Sequence, residues 1–324
     1  MEHTIIMESF SAEGQTVNII RPEGIVNLEL DALLAHLSAN REEIGQQLLK
    51  TGAILFRNFN VNNRDGLLKV KEIFAGNVAF DYVDGNSPRT KLSNDVYTST
   101  EYPKELSISL HNELSYSSKW PGTIFFYCHT PAEEGGETPI VDCRKILEVL
   151  DPGIVERFEK YGVRYTRYLS GAAGVGKTWM DTFETSDKSV VEKYCDESNI
   201  SYTWDGNNLC LSQQGLGVAQ HPVTGEKVWF NQANQFHPSG LPDEIYRGLK
   251  LIHSRNKHKF PQYAYYGNGE EIAEADLKQI TDLHFKCAIK FPWQKNDVLM
   301  LDNMLMAHGR MPFKGERKVY VSMC

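Results

Sequence analysis

A histidine and a glutamate two residues apart could bind one metal ion in this 324-residue chain. His111 and Glu113 lie in SISLHNELSY (107–116), an alternating stretch that predicts a β-strand. Side chains two apart on a strand point to the same face, so an imidazole and a carboxylate would converge there. Composition alone gives about one His-x-acid match in such a chain, so a satisfied polar pair on a strand is the alternative.

A second histidine near the C-terminal end could complete a set of metal ligands. His308 follows an apolar run and precedes Gly309 and a turn that contains a proline. Two imidazoles and one carboxylate form a facial triad with three open positions, which suits Fe(II) that takes oxygen and an organic acid together. Taken alone, His308 is more typical of a histidine packed in the core.

An arginine nine residues after His308 favours the metal interpretation. Arg317 begins RKVYVSM (317–323), which predicts a buried strand. A buried guanidinium is costly unless it meets an anion, and its fork of donors suits one carboxylate of a dicarboxylate co-substrate. The alternative is a structural salt bridge to a local acid such as Glu316.

The surrounding sequence predicts the elements that would position these side chains. Leucine spacing and apolar runs predict β-rich pieces on both sides of a long mixed segment, about 145–290. No repeat, low-complexity tract or flexible linker divides the chain, so we expect one domain, residues 1–324. Helices are predicted in 28–50, 63–77, 144–160, 243–258 and 270–288, and strands in 51–60, 107–116, 123–131, 137–143, 163–170, 227–237, 296–309 and 317–324.

Composition argues against several classes of partner. The formal net charge is −8, and no run of five lysines and arginines occurs, so a nucleic-acid partner is not expected. The N-terminal residues include acids and lack an apolar core, which argues against a signal peptide, and no stretch of 18 apolar residues predicts a membrane span. The six cysteines form no C-x-x-C pair, so we expect reduced thiols in a cytoplasmic protein.

Four segments together resemble the taurine dioxygenase and clavaminate synthase superfamily. They are His111-Asn112-Glu113, WPGTIFFYC, PAEEGGETPIVD and DNMLMAHGRMPFKGERKV, and the resemblance covers most of residues 50–324. It implies a β-rich α+β fold: a double-stranded β-helix (jelly roll) with flanking helices and a long mixed insertion over the active-site mouth. It also implies an Fe(II)- and 2-oxoglutarate-dependent dioxygenase that consumes O2.

Carried over by position, the resemblance implies roles for individual residues. His111, Glu113 and His308 match the iron ligands. Thr138 matches the threonine that helps hold 2-oxoglutarate, although by itself it is typical of an ordinary strand threonine. Arg317 matches the arginine that pairs with the distal carboxylate. Because the spacing from His308 is shorter than in the clavaminate synthase branch, Arg310 is the alternative partner.

The resemblance also suggests a substrate class. Glutamate at position 113, where taurine-type enzymes carry aspartate, is similar to the clavaminate synthase and amino-acid hydroxylase branch. It implies an amino-acid-like substrate, free or tethered to a carrier protein as a thioester, that is hydroxylated, desaturated or cyclised with release of succinate and CO2. A taurine-type organic acid is the alternative. Asn94 and Tyr97 precede the metal pair and are candidate substrate-side residues.

One motif points to a different class of protein. Residues 171–178, GAAGVGKT, satisfy the phosphate-binding pattern G-x-x-x-x-G-K-[ST]. A true P-loop opens a helix whose N-terminus meets the phosphates, whereas the residues that follow have weak helix character. A nucleotide-binding protein is therefore the alternative of a different class, and a metal-binding jelly roll without catalysis is a third hypothesis.

Overall fold

The computed structural model describes most of the chain and combines sheets with helices. Its described residues are 4–76, 78, 80, 82–85, 91–93, 96–99, 102–172, 177–253 and 255–324. The helices are α1 Leu30–Ala39, α2 Arg41–Thr51, α3 Arg64–Ala75, α4 Cys143–Val149, α5 Pro152–Tyr161, α6 Trp179–Phe183, α7 Lys188–Glu197, α8 Ala233–Phe236, α9 Asp243–His253 and α10 Glu274–Cys287, with short 3-10 helices at Pro238–Gly240 and Lys257–Lys259.

The strands follow the same chain order. They are β1 Ile5–Ala12, β2 Gln15–Pro22, β3 Leu28–Glu29, β4 Ala53–Phe56, β5 Phe59–Asn60, β6 Lys91–Ser93, β7 Val96–Thr98, β8 Ile108–His111, β9 Thr123–Thr130, β10 Glu134–Gly135, β11 Ile140–Asp142, β12 Val163–Leu169, β13 Ser201–Asp205, β14 Asn208–Gly215, β15 Val218–Gln220, β16 Lys227–Trp229, β17 Gln262–Tyr266, β18 Val298–Asp302, β19 Met306–Arg310, β20 Phe313–Lys314 and β21 Lys318–Met323.

The largest sheet has eight strands in the order β1-β2-β4-β18-β9-β21-β7-β6. Its central strands are apolar on both faces, as the continuous apolar runs of the sequence require. On β9, Phe125 and Tyr127 pack with the cluster under α1, α2 and α3, whereas Ile124 and Phe126 belong to the larger core on the other face. The period of two along the strand therefore assigns alternate residues to two separate cores.

A smaller sheet of three strands, in the order β11-β19-β8, lies against this larger core. Its register pairs Ile140 with His308, and His308 with His111. The ring of His308 meets the ring of Phe126 of β9 at a centroid distance of 5.0 Å. The two histidines thus lie on the small sheet at the place where it faces the large one.

A third sheet, in the order β13-β14-β12-β17, is formed by the mixed segment that the sequence predicts at about 145–290. Leu169, Leu209 and Leu211 of this sheet pack with α6 and α7. Its strand β12 also contributes Val163 and Tyr165 to the larger core. The proposed role of the segment as an insertion in a single domain stays a prediction.

Several predicted strands are shorter than the sequence pattern indicates. The run 107–116 forms a strand only over Ile108–His111, and 227–237 forms β16 followed by the helix α8. The run 296–309 is two strands, because the carboxylate of Asp302 accepts hydrogen bonds from the amides of Met304 and Leu305 and turns the chain. The predicted helices are confirmed, with 28–50 and 144–160 each forming two. In the described part of the chain, no helix has the length and apolar character needed to cross a membrane.

Candidate functional site

The three side chains predicted as a metal set lie together in the interior. One ligand atom each from His111, Glu113 and His308 can be chosen so that all three lie within 4.8 Å of one another, and all three residues are buried. The Oε2 atom of Glu113 is 4.0 Å from Nε2 of His111 and 3.8 Å from Nε2 of His308. No other such group occurs among the residues that the structure describes. Two imidazoles and one carboxylate are the donor set of a facial triad.

The small sheet positions the two histidines. His111 ends β8 and is the cross-strand partner of His308 on β19, and the centroids of their rings are 4.7 Å apart. The Nδ1 atom of His111 is 2.8 Å from the carbonyl oxygen of Ser109. Because a carbonyl can only accept, Nδ1 carries the proton and the lone pair stays on Nε2, the nitrogen that faces Glu113.

Glu113 does not lie on the strand, which corrects the sequence prediction. It follows the end of β8 in a turn, and the next residue, Leu114, has a φ of 57°. The side chain of Asn303 binds the backbone of Glu113 at both groups, accepting from its N–H at 2.7 Å and donating to its carbonyl oxygen at 3.0 Å. This amide clamp, and not the pleat of a strand, brings the carboxylate to the histidines.

The buried pair of His221 with Asp302 holds the turn that carries Asn303. The Nδ1 atom of His221 accepts hydrogen bonds from the backbone amides of Val223 and Thr224, so its Nε2 carries the proton and donates to Asp302 at 3.1 Å. Asp302 fixes the turn that carries Asn303. His221 therefore acts on the candidate site through the backbone of the β18–β19 turn.

Tyr82 also contacts the candidate ligands, and the sequence did not predict it. Its hydroxyl donates to Oε1 of Glu113 at 2.9 Å. The other carboxylate oxygen, Oε2, is the one that lies near the two histidines. Tyr82 comes from the polar stretch 78–105, in which no pattern marks a single residue for this role.

Arg317 and Thr138 lie together beside the histidines. The Nε–H of Arg317 donates to the carbonyl oxygen of Gly136 at 2.8 Å, and its terminal nitrogens lie 3.2 Å from Oγ of Ser99 and 3.4 Å from Oγ1 of Thr138. The indole N–H of Trp293 donates to the same threonine oxygen at 3.1 Å. Two hydroxyl groups thus border the guanidinium, and both can also donate to an anion.

The alternative of a structural salt bridge to Glu316 is wrong. Glu316 instead pairs with Lys318 at 2.6 Å. Within the described residues, no carboxylate lies within 4.0 Å of the Arg317 guanidinium. Burial, together with the nearby charge of Arg310, lowers the pKa of Arg317 to about 10, so the group is still a cation at neutral pH. A charge with only neutral acceptors in a partly buried place favours an anionic ligand.

Arg310, the alternative carboxylate partner, has a different environment. Its terminal nitrogens donate to three backbone carbonyl groups, those of Tyr102, Pro103 and Leu106, at 2.6 to 2.8 Å. Burial lowers the pKa of Arg310 from its ordinary value. Its donors therefore tie down the chain segment that leads into β8, whereas those of Arg317 face hydroxyl groups.

One narrow cavity connects the metal candidates with the arginines. The two histidines form part of its wall, and Thr138 and Arg317 form another part. An organic acid held by the guanidinium would therefore lie next to the imidazoles. The residues lining the cavity are Ser99, Ile108, His111, Phe126, Thr138, His308, Gly309, Arg310, Arg317 and Val321.

The two candidate substrate-side residues have different outcomes. Asn94 lies outside the described residues. Tyr97 is buried on β7, opposite Val321, and its ring packs against the ring of Tyr82 at a centroid distance of 5.5 Å. This places Tyr97 in the core behind Tyr82, and its contact with a substrate stays a prediction.

The described end of the GAAGVGKT motif makes contacts within the protein. Residues 173–176 lie outside the described part. The ammonium group of Lys177 donates to the carbonyl oxygen of Gly85 at 2.9 Å. Thr178 caps α6, accepting from the backbone amide of Asp181 at 3.0 Å and donating to its carboxylate at 2.6 Å. The helix has only five residues, and the carboxylate of Asp181 lies in its first turn, which does not favour a phosphate.

Comparisons with known proteins find one matching family and several similar proteins. A model of the family described as "Taurine catabolism dioxygenase TauD, TfdA family" matches residues 12–323. Dapdiamide synthesis protein DdaC of Enterobacter agglomerans is 37% identical over 281 residues, which are 86% of this chain and 84% of that protein. A clavaminate synthase-like protein of Arabidopsis thaliana is 29% identical over 307 residues, 92% of this chain and 88% of that protein.

Solved structures show the same fold at low sequence identity. PvcB from Pseudomonas aeruginosa superposes with a TM-score of 0.54 at 12% identity, covering 98% of this chain and 91% of that one. A further structure of PvcB, described as an Fe, alpha-ketoglutarate dependent oxygenase from an isonitrile synthetic pathway, gives 0.54 at 11% over the same shares of the two chains. AAD-2 in complex with Mn(II) and N-oxalylglycine gives 0.51 at 12%, covering 99% and 96%.

Proposed function

This chain belongs to the taurine catabolism dioxygenase TauD, TfdA family, and we propose that it oxidises a C–H bond of an amino-acid-like substrate. It is a non-haem iron dioxygenase that uses Fe(II), 2-oxoglutarate and O2. Bound iron supplies the activation of oxygen, coupled to oxidative decarboxylation of 2-oxoglutarate to succinate and CO2. The protein binds and orients the reactants and excludes water from the site.

His111, Glu113 and His308 are the proposed iron ligands. The observation that carries this assignment is the buried cluster of two imidazoles and one carboxylate, with ligand atoms within 4.8 Å of one another. The proton on Nδ1 of His111 directs its other nitrogen toward the cluster. An iron ion held by these three residues would still be able to bind the co-substrate and oxygen.

Arg317 and Thr138 are the proposed contacts of the distal carboxylate of 2-oxoglutarate. They line the same cavity as the two histidines, and the guanidinium has neutral acceptors around it. A guanidinium can bind both oxygens of a carboxylate, and the threonine hydroxyl can add a third hydrogen bond. Arg310 is then a support for residues 102–106 and not the main carboxylate contact.

The eight-stranded and three-stranded sheets are, in this proposal, the two layers of a double-stranded β-helix. The contact between His308 of the small sheet and Phe126 of the large sheet supports this arrangement. The segment 145–290 is then an insertion within a single domain that borders the active-site mouth. Its sheet and helices have a core of their own as well as residues in the shared core.

The substrate proposal rests on the relatives and on one ligand. The relative that is 37% identical is named for the synthesis of dapdiamide, and the relative that is 29% identical is named clavaminate synthase-like. The proposed carboxylate ligand is Glu113, and glutamate has a longer side chain than the aspartate that taurine-type enzymes carry at this position. An amino-acid-like substrate, free or tethered to a carrier protein, is therefore preferred to a taurine-type organic acid, with hydroxylation as the first reaction to test and desaturation or cyclisation as variants.

The metal and co-substrate assignments are tested together by an anaerobic titration. Fe(II) and 2-oxoglutarate added to the protein should give the weak visible charge-transfer band of the chelate, and His308→Ala should remove it. Lys177→Ala is the matched control and should keep the band, because the ammonium group of Lys177 donates to the carbonyl oxygen of Gly85 and Lys177 is not one of the proposed ligands. A band that survives His308→Ala but is lost in Lys177→Ala contradicts the assignment.

The substrate class is tested by succinate release under oxygen. Free amino acids, their thioesters on a carrier protein, and taurine-type sulfonates are compared at equal concentration with the wild-type enzyme. We expect succinate release coupled to oxidation of an amino-acid-like compound. Coupled turnover only with the sulfonates would overturn the substrate proposal and leave the dioxygenase assignment in place.

A further inference from the structure

We propose that Tyr82 is a positioning residue of the metal site, and that the buried ion pair of Asp84 with Arg167 holds it in place. The inference rests on the proposed role of Glu113 as an iron ligand. Tyr82 donates its hydroxyl hydrogen to Oε1 of Glu113 at 2.9 Å. The other oxygen, Oε2, is the one that approaches the two histidines.

This hydrogen bond selects which carboxylate oxygen is presented to a metal. Glu113 has more rotatable bonds than an aspartate, so its carboxylate needs an external contact to fix its orientation. A hydroxyl bound to Oε1 opposes rotation of the group and keeps Oε2 toward the imidazoles. Loss of a contact that orients a metal ligand in this way typically costs about 10- to 100-fold in metal affinity or activity.

The segment that carries Tyr82 is pinned two residues later. Asp84 is fully buried with a φ of 69°, and its Oδ1 lies 2.6 Å from Nη2 of Arg167. Its backbone is held as well, because its N–H donates to the carbonyl of Thr182 at 3.2 Å and its carbonyl accepts from the hydroxyl of Tyr116 at 2.8 Å. The segment 82–85 is thus fixed by side-chain and backbone contacts together.

A buried ion pair of this kind is better explained by geometry than by stability. Taking both charges out of water costs several kcal/mol that their attraction roughly offsets, so such pairs contribute little net stability. Arg167 also donates to the side chain of Gln213 at 2.9 Å and to the backbone carbonyl of Asp84 at 3.3 Å. These directional contacts specify one position for the segment, and Tyr82 shares that position.

The opposite side of Tyr82 is closed by an aromatic contact. The ring of Tyr97 on β7 packs on it at 5.5 Å, with 53° between the ring planes. Arg167 lies on β12, in the proposed insertion, whereas Glu113 follows β8 of the small sheet. The proposed insertion is therefore linked to the metal site by two side-chain contacts, Arg167 with Asp84 and Tyr82 with Glu113, and by the short backbone segment between Tyr82 and Asp84.

The hydroxyl is tested by Tyr82→Phe with a metal probe and no turnover. Co(II) is titrated into the apoprotein, and its affinity and d–d spectrum are recorded. We expect the dissociation constant to rise roughly 10-fold, within the range known for such supporting contacts, with a changed spectrum. Tyr127→Phe is the matched control, since that buried tyrosine donates to Asn296 at 3.0 Å and its loss should leave both readouts unchanged.

The ion pair is tested by Asp84→Asn, alone and combined with Tyr82→Phe. If Asp84 acts through Tyr82, Asp84→Asn weakens Co(II) binding, and the double variant is no weaker than Tyr82→Phe. Additive losses overturn the proposed link. If Asp84→Asn does not fold, Arg167→Lys, which keeps the charge but not the fork, takes its place and must show a smaller change in the same direction.

The remaining outcomes separate this inference from the proposed function. Wild-type Co(II) affinity in Glu113→Ala would overturn the ligand assignment and, with it, the premise of this inference. Loss of affinity in Glu113→Ala with wild-type behaviour in Tyr82→Phe would overturn only the role of Tyr82. A raised KM for the organic substrate with unchanged Co(II) binding would make Tyr82 a substrate contact and would also overturn it.

Discussion

Arg167 is a buried arginine and Arg317 is a partly buried one in another region of the molecule, and they differ in the kind of group that each contacts. Arg167, in the four-stranded sheet, has the carboxylate of Asp84 at 2.6 Å. Arg317, at the start of β21, has two hydroxyls and a carbonyl within the described residues, and it borders a cavity. A buried cation with its own anion organises the chain, whereas one with neutral neighbours provides a place for an anion from outside.

The largest effect is expected at the buried ion pair of Asp84 with Arg167. Asp84→Ala leaves the charge of Arg167 buried and uncompensated, which should lower the free energy of unfolding by about 3–5 kcal/mol. Urea unfolding of the metal-free protein measures it. Glu134→Ala is the control, because its pair with Lys314 is exposed and should be worth under about 1 kcal/mol. Equal losses of unfolding free energy in the two variants would mean that the buried pair of Asp84 with Arg167 stabilises the fold no more than an exposed pair does.

Arg317→Leu should give the opposite pattern. Loss of a buried charge contact should raise the dissociation constant of 2-oxoglutarate by about 100-fold, equivalent to about 2.7 kcal/mol. The free energy of unfolding without 2-oxoglutarate should not fall, since a desolvated cation has been removed. Calorimetric titration and urea unfolding test the two parts. A destabilised protein with unchanged 2-oxoglutarate affinity would make Arg317 structural, like Arg167.

A substitution of Arg310 tests which of the two arginines that line the cavity binds the distal carboxylate. Arg310→Leu leaves three backbone carbonyls of residues 102–106 without their donors, and should cost about 2 kcal/mol of unfolding free energy. The affinity for 2-oxoglutarate should change much less than in Arg317→Leu. The same two measurements apply, and an affinity loss matching that of Arg317→Leu would assign the distal carboxylate to Arg310.

The smallest effect is expected at Thr138. Thr138→Val keeps the shape and removes one hydroxyl, so the dissociation constant of 2-oxoglutarate should rise about 5-fold, or roughly 1 kcal/mol. Titration against Thr16→Val, a threonine whose hydroxyl meets that of Ser11 at an exposed place, provides the baseline. Identical affinities in the two variants would mean that the hydroxyl of Thr138 serves only Trp293.

Local patterns explain which features could be predicted from the sequence. The leucine spacing of 28–50 predicts α1 and α2 because helix periodicity is a property of adjacent turns. The cluster of His111, Glu113 and His308 was predicted from residue types and a family resemblance. The prediction that Glu113 lies on a strand was wrong, because its backbone is hydrogen-bonded to the side chain of Asn303, 190 residues away. A local sequence pattern cannot indicate a contact of that separation.

The missed residues share this non-local origin. Tyr82 lies in a stretch without periodicity, and its partner is 31 residues away. Asp84 and Arg167 are 83 residues apart in the sequence and meet only in the folded chain. Asn303 lies in the segment DNMLMAHGRMPFKGERKV, but its clamp on Glu113 requires a turn that the apolar run 296–309 does not indicate. Sheet order and side-chain partners of this kind are consequences of the complete fold.

The clamp of Asn303 on Glu113 also has a consequence during synthesis on the ribosome. Glu113 and Asn303 are 190 residues apart, and His308 is made later still. A nascent chain that has exposed only the first half of the protein therefore presents His111 without the arrangement that would make it a metal ligand. Contacts of such separation form late in folding. We therefore expect iron to bind only after residues 303–308 have been synthesised and have folded against His111 and Glu113.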